Sequence, residues 1–293
     1  MKILLIPLLT LFVGSYIVAL SQTVDYFGLE KPGAIPKEFN PPVLNLDGAY
    51  VFNAIFNKPT CNEFYFTKIE KKENIYHSKK INGKWQAPAL AKFSNTTHND
   101  VDPFFTLNGN RVYFVSSRPI NDTDTTNDYN IWYADKIDTG WSAPKALPGP
   151  INTAYQEYFF SISNHGNAFF SSNRPGGNGS FDIYQVKISA DGTMSKPKNI
   201  GAPINTSKYE YDPFISPDET FMVFSIKKKG NSDIYISFKN EKEKWSNVIN
   251  LGDKINISKQ DFAPSLTPDN NFLIYTNEGK LKWVSTEILV SLR

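Results

Sequence analysis

The stretch SPDETFMVFSIKKKGNSDIYISFKNEKEKW, residues 216–245, decides the fold. It opens on Ser216-Pro217-Asp218, a turn-forming tripeptide in which proline sets φ and a short polar side chain bonds its own backbone. An aromatic strand follows, Met222-Val223-Phe224-Ser225, ending in a small hydroxyl residue. A second strand, Asp233-Ile234-Tyr235, has an apolar and an aromatic residue at its centre, and Trp245 marks a further element. The same order recurs outward in both directions. The aromatic strand returns as Phe64-Tyr65-Phe66-Thr67, Val112-Tyr113-Phe114-Val115-Ser116, Ala168-Phe169-Phe170-Ser171 and Leu273-Ile274-Tyr275-Thr276. Its successor returns as Ile75-Tyr76, Ile131-Trp132, Ile183-Tyr184 and, more loosely, Lys282-Trp283. Turn segments precede the strand at Leu107-Asn108-Gly109, Asn164-His165-Gly166 and Thr267-Pro268-Asp269, and the later element returns at Trp85, Trp141 and Met194.

A unit of about 50 residues, repeated five times as a four-stranded meander, is the pattern of a β-propeller, whose blades bury their aromatic faces against one another. A β-sandwich would not require the same turn, aromatic pair and tryptophan in the same order each time. The expected fold is therefore all-β, a five-bladed β-propeller of four-stranded antiparallel blades. The last repeat stops after the Trp283 strand and lacks a fourth strand, whereas Phe39-Asn40-Pro41-Pro42-Val43-Leu44 reads like the missing piece. The ring should be closed by this N-terminal strand, which also removes two unpaired edges. The chain then divides into a leader over 1–21, an extended arm without periodicity over 22–37, and a propeller domain over 38–293. Residues 121–128 read as a polar loop.

On these residues the chain resembles the WD-repeat-like propellers of the TolB type found in exported bacterial proteins. Ser216-Pro217-Asp218, Phe224-Ser225 and Asp233-Ile234-Tyr235 carry the resemblance best, and it spans roughly 38–287. The first repeat departs from it, with Thr60-Cys61-Asn62 in place of the turn, and the fifth lacks the aspartate. The resemblance implies the fold, export to the periplasm or cell exterior, and a role in interaction or ligand binding. Function does not follow from the fold itself.

Composition agrees with a β fold: 22 Phe and 15 Tyr stand against 3 Met among 293 residues. A net charge of +2, from 31 basic and 29 acidic residues, supplies no field for phosphate backbones or anionic lipid, so nucleic acid is excluded as an expected partner. Residues 1–21 carry Lys2, an apolar run and Ala19-Leu20-Ser21, the pattern of a signal peptide cleaved before Gln22. An uncleaved anchor is the alternative, and no later segment is apolar enough to span a membrane. Cys61 is the only cysteine, too far from the leader for lipid attachment, and reads as a small hydrophobe.

Catalytic motifs are missing. His77, His98 and His165 have no metal-ligand spacing, and no G-x-S-x-G, P-loop or H-E-x-x-H occurs, so no metal or cofactor is expected. Pro175-Gly176-Gly177-Asn178-Gly179 joins two strands rather than opening a helix and reads as a hairpin loop. One constellation remains. Ile151-Asn152-Thr153, Ile204-Asn205-Thr206 and Ile255-Asn256-Ile257 are followed by Glu157, Glu210 and Asp261, with Asp100 at the matching place in the second repeat. Related by the ring's rotation, these four carboxylates should form a partial ring near the inner strands, able to bind a cation or a polyhydroxylated ligand. The competing reading has them satisfying backbone N–H groups between blades. Arg118 and Arg174 are candidate anion ligands, although an Arg174–Asp182 pair across the hairpin is simpler. The sequence thus points to a module binding a protein, peptide or glycan of the cell envelope. The alternatives are a polysaccharide hydrolase or lyase using channel carboxylates, and a structural spacer.

Overall fold

The second strand of each repeat explains why the chain forms blades. Its residues run apolar without alternation, and a strand reads that way when both its faces are covered. Arg111–Ser116, Asn167–Ser172 and Phe272–Asn277 are buried along almost their whole length. In the computed structural model, which describes residues 24–57 and 61–293, five small antiparallel sheets form a five-bladed β-propeller. The leader expected over 1–21 lies outside the described residues.

Blade 1 holds Tyr50–Phe56, Glu63–Ile69 and Glu73–Ile81, with Ala89–Leu90 as its short outer strand. Blade 2 holds Asp100–Phe105, Arg111–Ser116, Asn130–Ile137 and Lys145–Ala146. Blade 3 holds Glu157–Ile162, Asn167–Ser172, Asp182–Lys187 and Lys198–Asn199, and blade 4 holds Tyr209–Ile215, Phe221–Lys228, Asn231–Phe238 and Ile249–Asn250. In blade 5, Asp261–Leu266, Phe272–Asn277 and Lys280–Ser285 are followed outward by Lys37–Glu38 from the N-terminus. Facing blades interlock through aromatics: Tyr113 meets Phe160 at 4.3 Å, and Phe169 and Ile183 pack with Met222 and Phe224. Turns recur for a local reason. Asp218 accepts from Ser216 Oγ (2.8 Å) and Thr220 N (3.1 Å), and Asp269 accepts from Thr267 Oγ1 (2.8 Å) and Asn271 N (3.1 Å).

The N-terminal strand closes the ring, but a few residues earlier than expected. Lys37 lies opposite Trp283 and Glu38 opposite Lys282, and Phe39 N donates to Leu281 O at 2.9 Å. The proposed strand over 39–44 fails because Pro41 and Pro42 carry no N–H for a ladder; Pro42–Leu44 instead forms a single 3-10 turn. Phe39 remains the anchor, fully buried against Trp283 and Phe64. The arm ahead of it is packed rather than free. Tyr26 is 2% exposed, sits edge-on to Phe56 and Phe272 and donates to Asp269 Oδ2 at 2.5 Å. Phe27 stacks on Trp85 at 4.0 Å. The arm therefore seals the seam between blades 1 and 5, and Cys61 packs at the edge of the same cluster.

Candidate functional site

Every innermost strand carries the same defect. Its pairing slips by a residue, and one residue per blade takes a positive φ: Asn53 (43°), Asp102 (56°), Phe159 (48°), Asp212 (52°) and Ala263 (52°). A bulge in the strand nearest the axis bends it and re-aims the side chains beside it. The bulges are cross-tied. Asn53 N donates to Thr276 Oγ1 and Asp102 N to Thr67 Oγ1, both at 3.3 Å, so in blades 5 and 1 the small hydroxyl ending the aromatic strand serves the next blade's bulge. Asn53 Nδ2 reaches Asp102 Oδ1 at 3.1 Å, and Ala263 N reaches Asp212 Oδ2 at 3.0 Å.

Asp102 and Asp212 belong to blades that are not neighbours, so their mutual repulsion acts across the axis. Each is 6% exposed. Burial first, and then the facing charge, pushes the Asp212 carboxyl far above the usual carboxylate range, and burial raises Asp102 likewise. Both carboxyls therefore favour the protonated form more than an exposed carboxyl does.

Beside this pair run two arcs of aromatic side chains, a partial collar, joined in part by polar contacts. Tyr129 meets Tyr158 (5.0 Å), Tyr158 meets Phe181 (5.7 Å), Phe181 stacks on Tyr209 (4.4 Å) and Tyr209 meets Tyr211 (5.0 Å). Tyr211 is hydrogen-bonded to Ser232, and beyond the Ser232–Gln260 bridge Tyr50 donates to Gln260 Oε1 at 2.6 Å. Tyr50 and Phe262 both contact Phe52, and at the other end Tyr129 donates to Glu73 Oε2 at 3.1 Å. Most of these rings are half-buried, and Tyr50 is 36% exposed. Burial keeps their phenols protonated: Tyr129 is pushed up to about 12, and Tyr158, Tyr209 and Tyr211 higher.

The four expected carboxylates lie at or next to the start of the inner strands; Glu157, Glu210 and Asp261 directly precede the aromatics Tyr158, Tyr211 and Phe262, Asp100 precedes Val101, and all four acids are 0% exposed. Strand alternation puts an acid and the residue after it on opposite sides. Asp100 accepts from Ser94 Oγ (3.0 Å), Asn95 N (3.0 Å) and Arg118 (2.8 Å); Glu157 accepts from Thr153 N (3.0 Å), Ser172 Oγ (3.0 Å) and Arg174 (3.0 Å). Glu210 accepts from Thr206 Oγ1 (2.5 Å), and Asp261 from Ser258 N (2.8 Å) and Asn277 Nδ2 (2.6 Å). Each acid thus holds its own linker and strand start. At the other end of the linker Asn152, Asn205 and Asn256 clamp the preceding blade, accepting from the N–H of Ile131, Ile183 and Ile234 at 2.8, 2.9 and 2.8 Å and donating to the same residues' carbonyls.

The arginines are likewise internal. Arg118 also donates to Phe93 O (3.0 Å), and Arg174 to Ile151 O (2.5 Å) while lying 5.0 Å over the rings of Phe170 and Tyr184. The expected Arg174–Asp182 pair does not form. Asp182 is occupied by Asn178 N (2.8 Å) and Gly179 N (3.2 Å) of the glycine-rich loop, leaving Arg174 to Glu157. Among the described residues no three His, Cys, Asp or Glu side chains converge as metal ligands, and no helix is long and apolar enough to cross a membrane. The collar was within reach of the sequence: an aromatic directly follows the acid in three repeats. The bulges were not, because Phe159 and Ala263 carry no left-handed signature.

No protein-family model and no curated protein matches the sequence. Solved structures are similar in fold. TolB from Acinetobacter baumannii aligns at 14% identity and a TM-score of 0.51, over 81% of this chain and 54% of its own. An alpha-L-arabinofuranosidase from Lactobacillus brevis aligns at 12% identity and 0.49, over 80% and 84%; a putative TolB from Agrobacterium tumefaciens aligns at 15% and 0.48, over 78% and 69%. The chain thus spans about half the length of the Acinetobacter TolB. At such identities the likeness is one of fold alone.

Proposed function

We propose that this chain is an exported binding module of the cell envelope and that its ligand seats on the aromatic collar around the propeller axis. The run of aromatics from Tyr129 to Tyr211, with Phe52 and Phe262, beside the bulged inner strands carries this reading. Half-buried aromatics on rigid strands offer flat apolar faces at little entropic cost, and their phenols, with Gln260 and Ser232, supply hydroxyl and amide groups. Glu73 beside the collar and the acid pair beneath it disfavour acidic ligands. An uncharged glycan strand, whose rings present alternating apolar faces and hydroxyls, fits best; an uncharged peptide segment of an envelope protein fits next. In this reading Asp100, Glu157, Glu210 and Asp261 position the collar, and Arg118 and Arg174 support Asp100 and Glu157.

The test is a glycan and peptide array with the intact protein, followed by titration of the hits against Tyr158→Ala and Tyr209→Ala. Each ring contributes about 0.5–1.5 kcal/mol beyond its area, so each variant should weaken binding by about tenfold while the fold persists. Parental affinity in both variants would defeat the proposal.

A hydrolase reading is favoured by one observation, the buried acids Asp102 and Asp212 of two non-neighbouring blades, both held above the usual carboxylate range. It predicts turnover of the bound glycan, abolished in Asp102→Asn and Asp212→Asn. Both carboxylates are, however, engaged by neighbouring strands through Asn53, Ser225 and Ala263, which favours binding over chemistry.

A further inference from the structure

The linkers between blades differ in how their charge is balanced. At the junction of blades 1 and 2 the buried Asn74 and Asp100 meet the half-buried Arg118, and at the next junction the buried Asn130 and Glu157 meet the half-buried Arg174: one acid and one arginine each. At the junction of blades 3 and 4 the asparagine position is Asp182 and the inner acid is Glu210, while the arginine position is taken by the exposed Lys228. Two buried carboxylates now share one junction, joined by the hydrogen bond from Glu210 N to Phe181 O (3.1 Å). Among the described residues no lysine or arginine forms an ion pair with either. Asp182 Oδ1 and Glu210 Oε2 are fully buried and accept no hydrogen bond, and the Tyr184 hydroxyl, across Gly177 from Asp182, is equally unpartnered. The glycine-rich loop lets backbone close over this place: a Cβ at Gly177 would lie 1.9 Å from Asp182 Oδ2 and 3.3 Å from Tyr184 Oη, and one at Gly179 would lie 1.9 Å from Lys208 O.

We propose that the junction of blades 3 and 4 binds a hard cation, calcium by its ligand chemistry, through the unpartnered oxygens Asp182 Oδ1 and Glu210 Oε2. Hard cations take carboxylate, carbonyl and hydroxyl oxygens in flexible number, which this junction presents. An uncompensated buried carboxylate pair is costly, and a cation does here what Arg174 does one blade earlier.

Chelator-treated intact protein is titrated with calcium alone by calorimetry, and its unfolding is followed with and without millimolar calcium. One bound ion per chain is expected, with the unfolding midpoint raised by about 5–10 °C at a hundredfold excess over Kd. Asp182→Asn and Glu210→Gln should each weaken calcium binding at least tenfold. Glu157→Gln should lower the midpoint yet leave the calcium response unchanged. If Glu210 is instead neutralised by a proton, neither the parent nor Glu210→Gln responds to calcium, and the proposal falls; it falls equally if Asp182→Asn keeps the full response.

Discussion

Asn205→Ala removes one of the clamps that fasten a linker to the preceding blade. Asn205 is almost fully buried, accepts from Ile183 N at 2.9 Å, and donates to Ile183 O at 2.8 Å and Asn199 Oδ1 at 2.7 Å. Ile183 is itself fully buried, so without the amide its N–H has no partner and no water, a loss of about 1–3 kcal/mol. Its carbonyl keeps Ile200 N at 3.2 Å, so that end adds little. The bond to Asn199 adds about 0.5–1.5 kcal/mol. Together these give a loss of about 3 kcal/mol, or roughly 6–12 °C in the unfolding midpoint for a domain of this size. Urea unfolding followed by circular dichroism measures it directly: the midpoint should fall with the slope unchanged, because the variant still buries the same surface. Ser207→Ala, exposed in the same linker, should change stability by less than about 0.5 kcal/mol. A loss below about 1 kcal/mol for Asn205→Ala would refute the clamp argument.

Three further outcomes follow from the packing. Asp102 and Asp212 bind their protons more tightly folded than unfolded, so their contribution is whole below the ordinary carboxylate pKa and declines as pH rises through their raised values; midpoints recorded across that range should fall in the parent and flatten in Asp212→Asn. Tyr26→Ala removes a buried ring and the bond to Asp269 and should cost about 3–5 kcal/mol in a denaturant titration; deletion of 22–37 should therefore destabilise even though Phe39 is retained. Arg174→Met leaves Glu157 buried without its cation, a loss of about 3–5 kcal/mol that Arg174→Met/Glu157→Gln should largely restore in the same assay.

The repeat was legible because continuous apolar runs such as Val112-Tyr113-Phe114-Val115 are what a strand between two blades requires, and five copies reinforce one another. Closure was legible as a missing strand, but its register depends on where Pro41 and Pro42 stop the ladder, which leaves Phe39 just beyond the end of the strand rather than inside it. The arm had no period to read; its role rests on Tyr26 and Phe27, single aromatics whose partners come from both ends of the chain. The carboxylates were found by position, yet a position does not give a direction. Glu157 and Tyr158 are adjacent in sequence, and alternation sends the acid to its own linker and the ring to the axial face.

The claim that ligand binds on the axial collar is tested most directly by fluorine NMR of protein carrying fluorotyrosine, titrated with an array hit. Resonances of Tyr129, Tyr158, Tyr209 and Tyr211, assigned through Tyr→Phe variants, should shift together and saturate at one Kd, while Tyr133 and Tyr235, set back in the blades' third strands, stay fixed. Saturable shifts at Tyr133 or Tyr235 with the four collar resonances unmoved would place the ligand elsewhere and contradict the account.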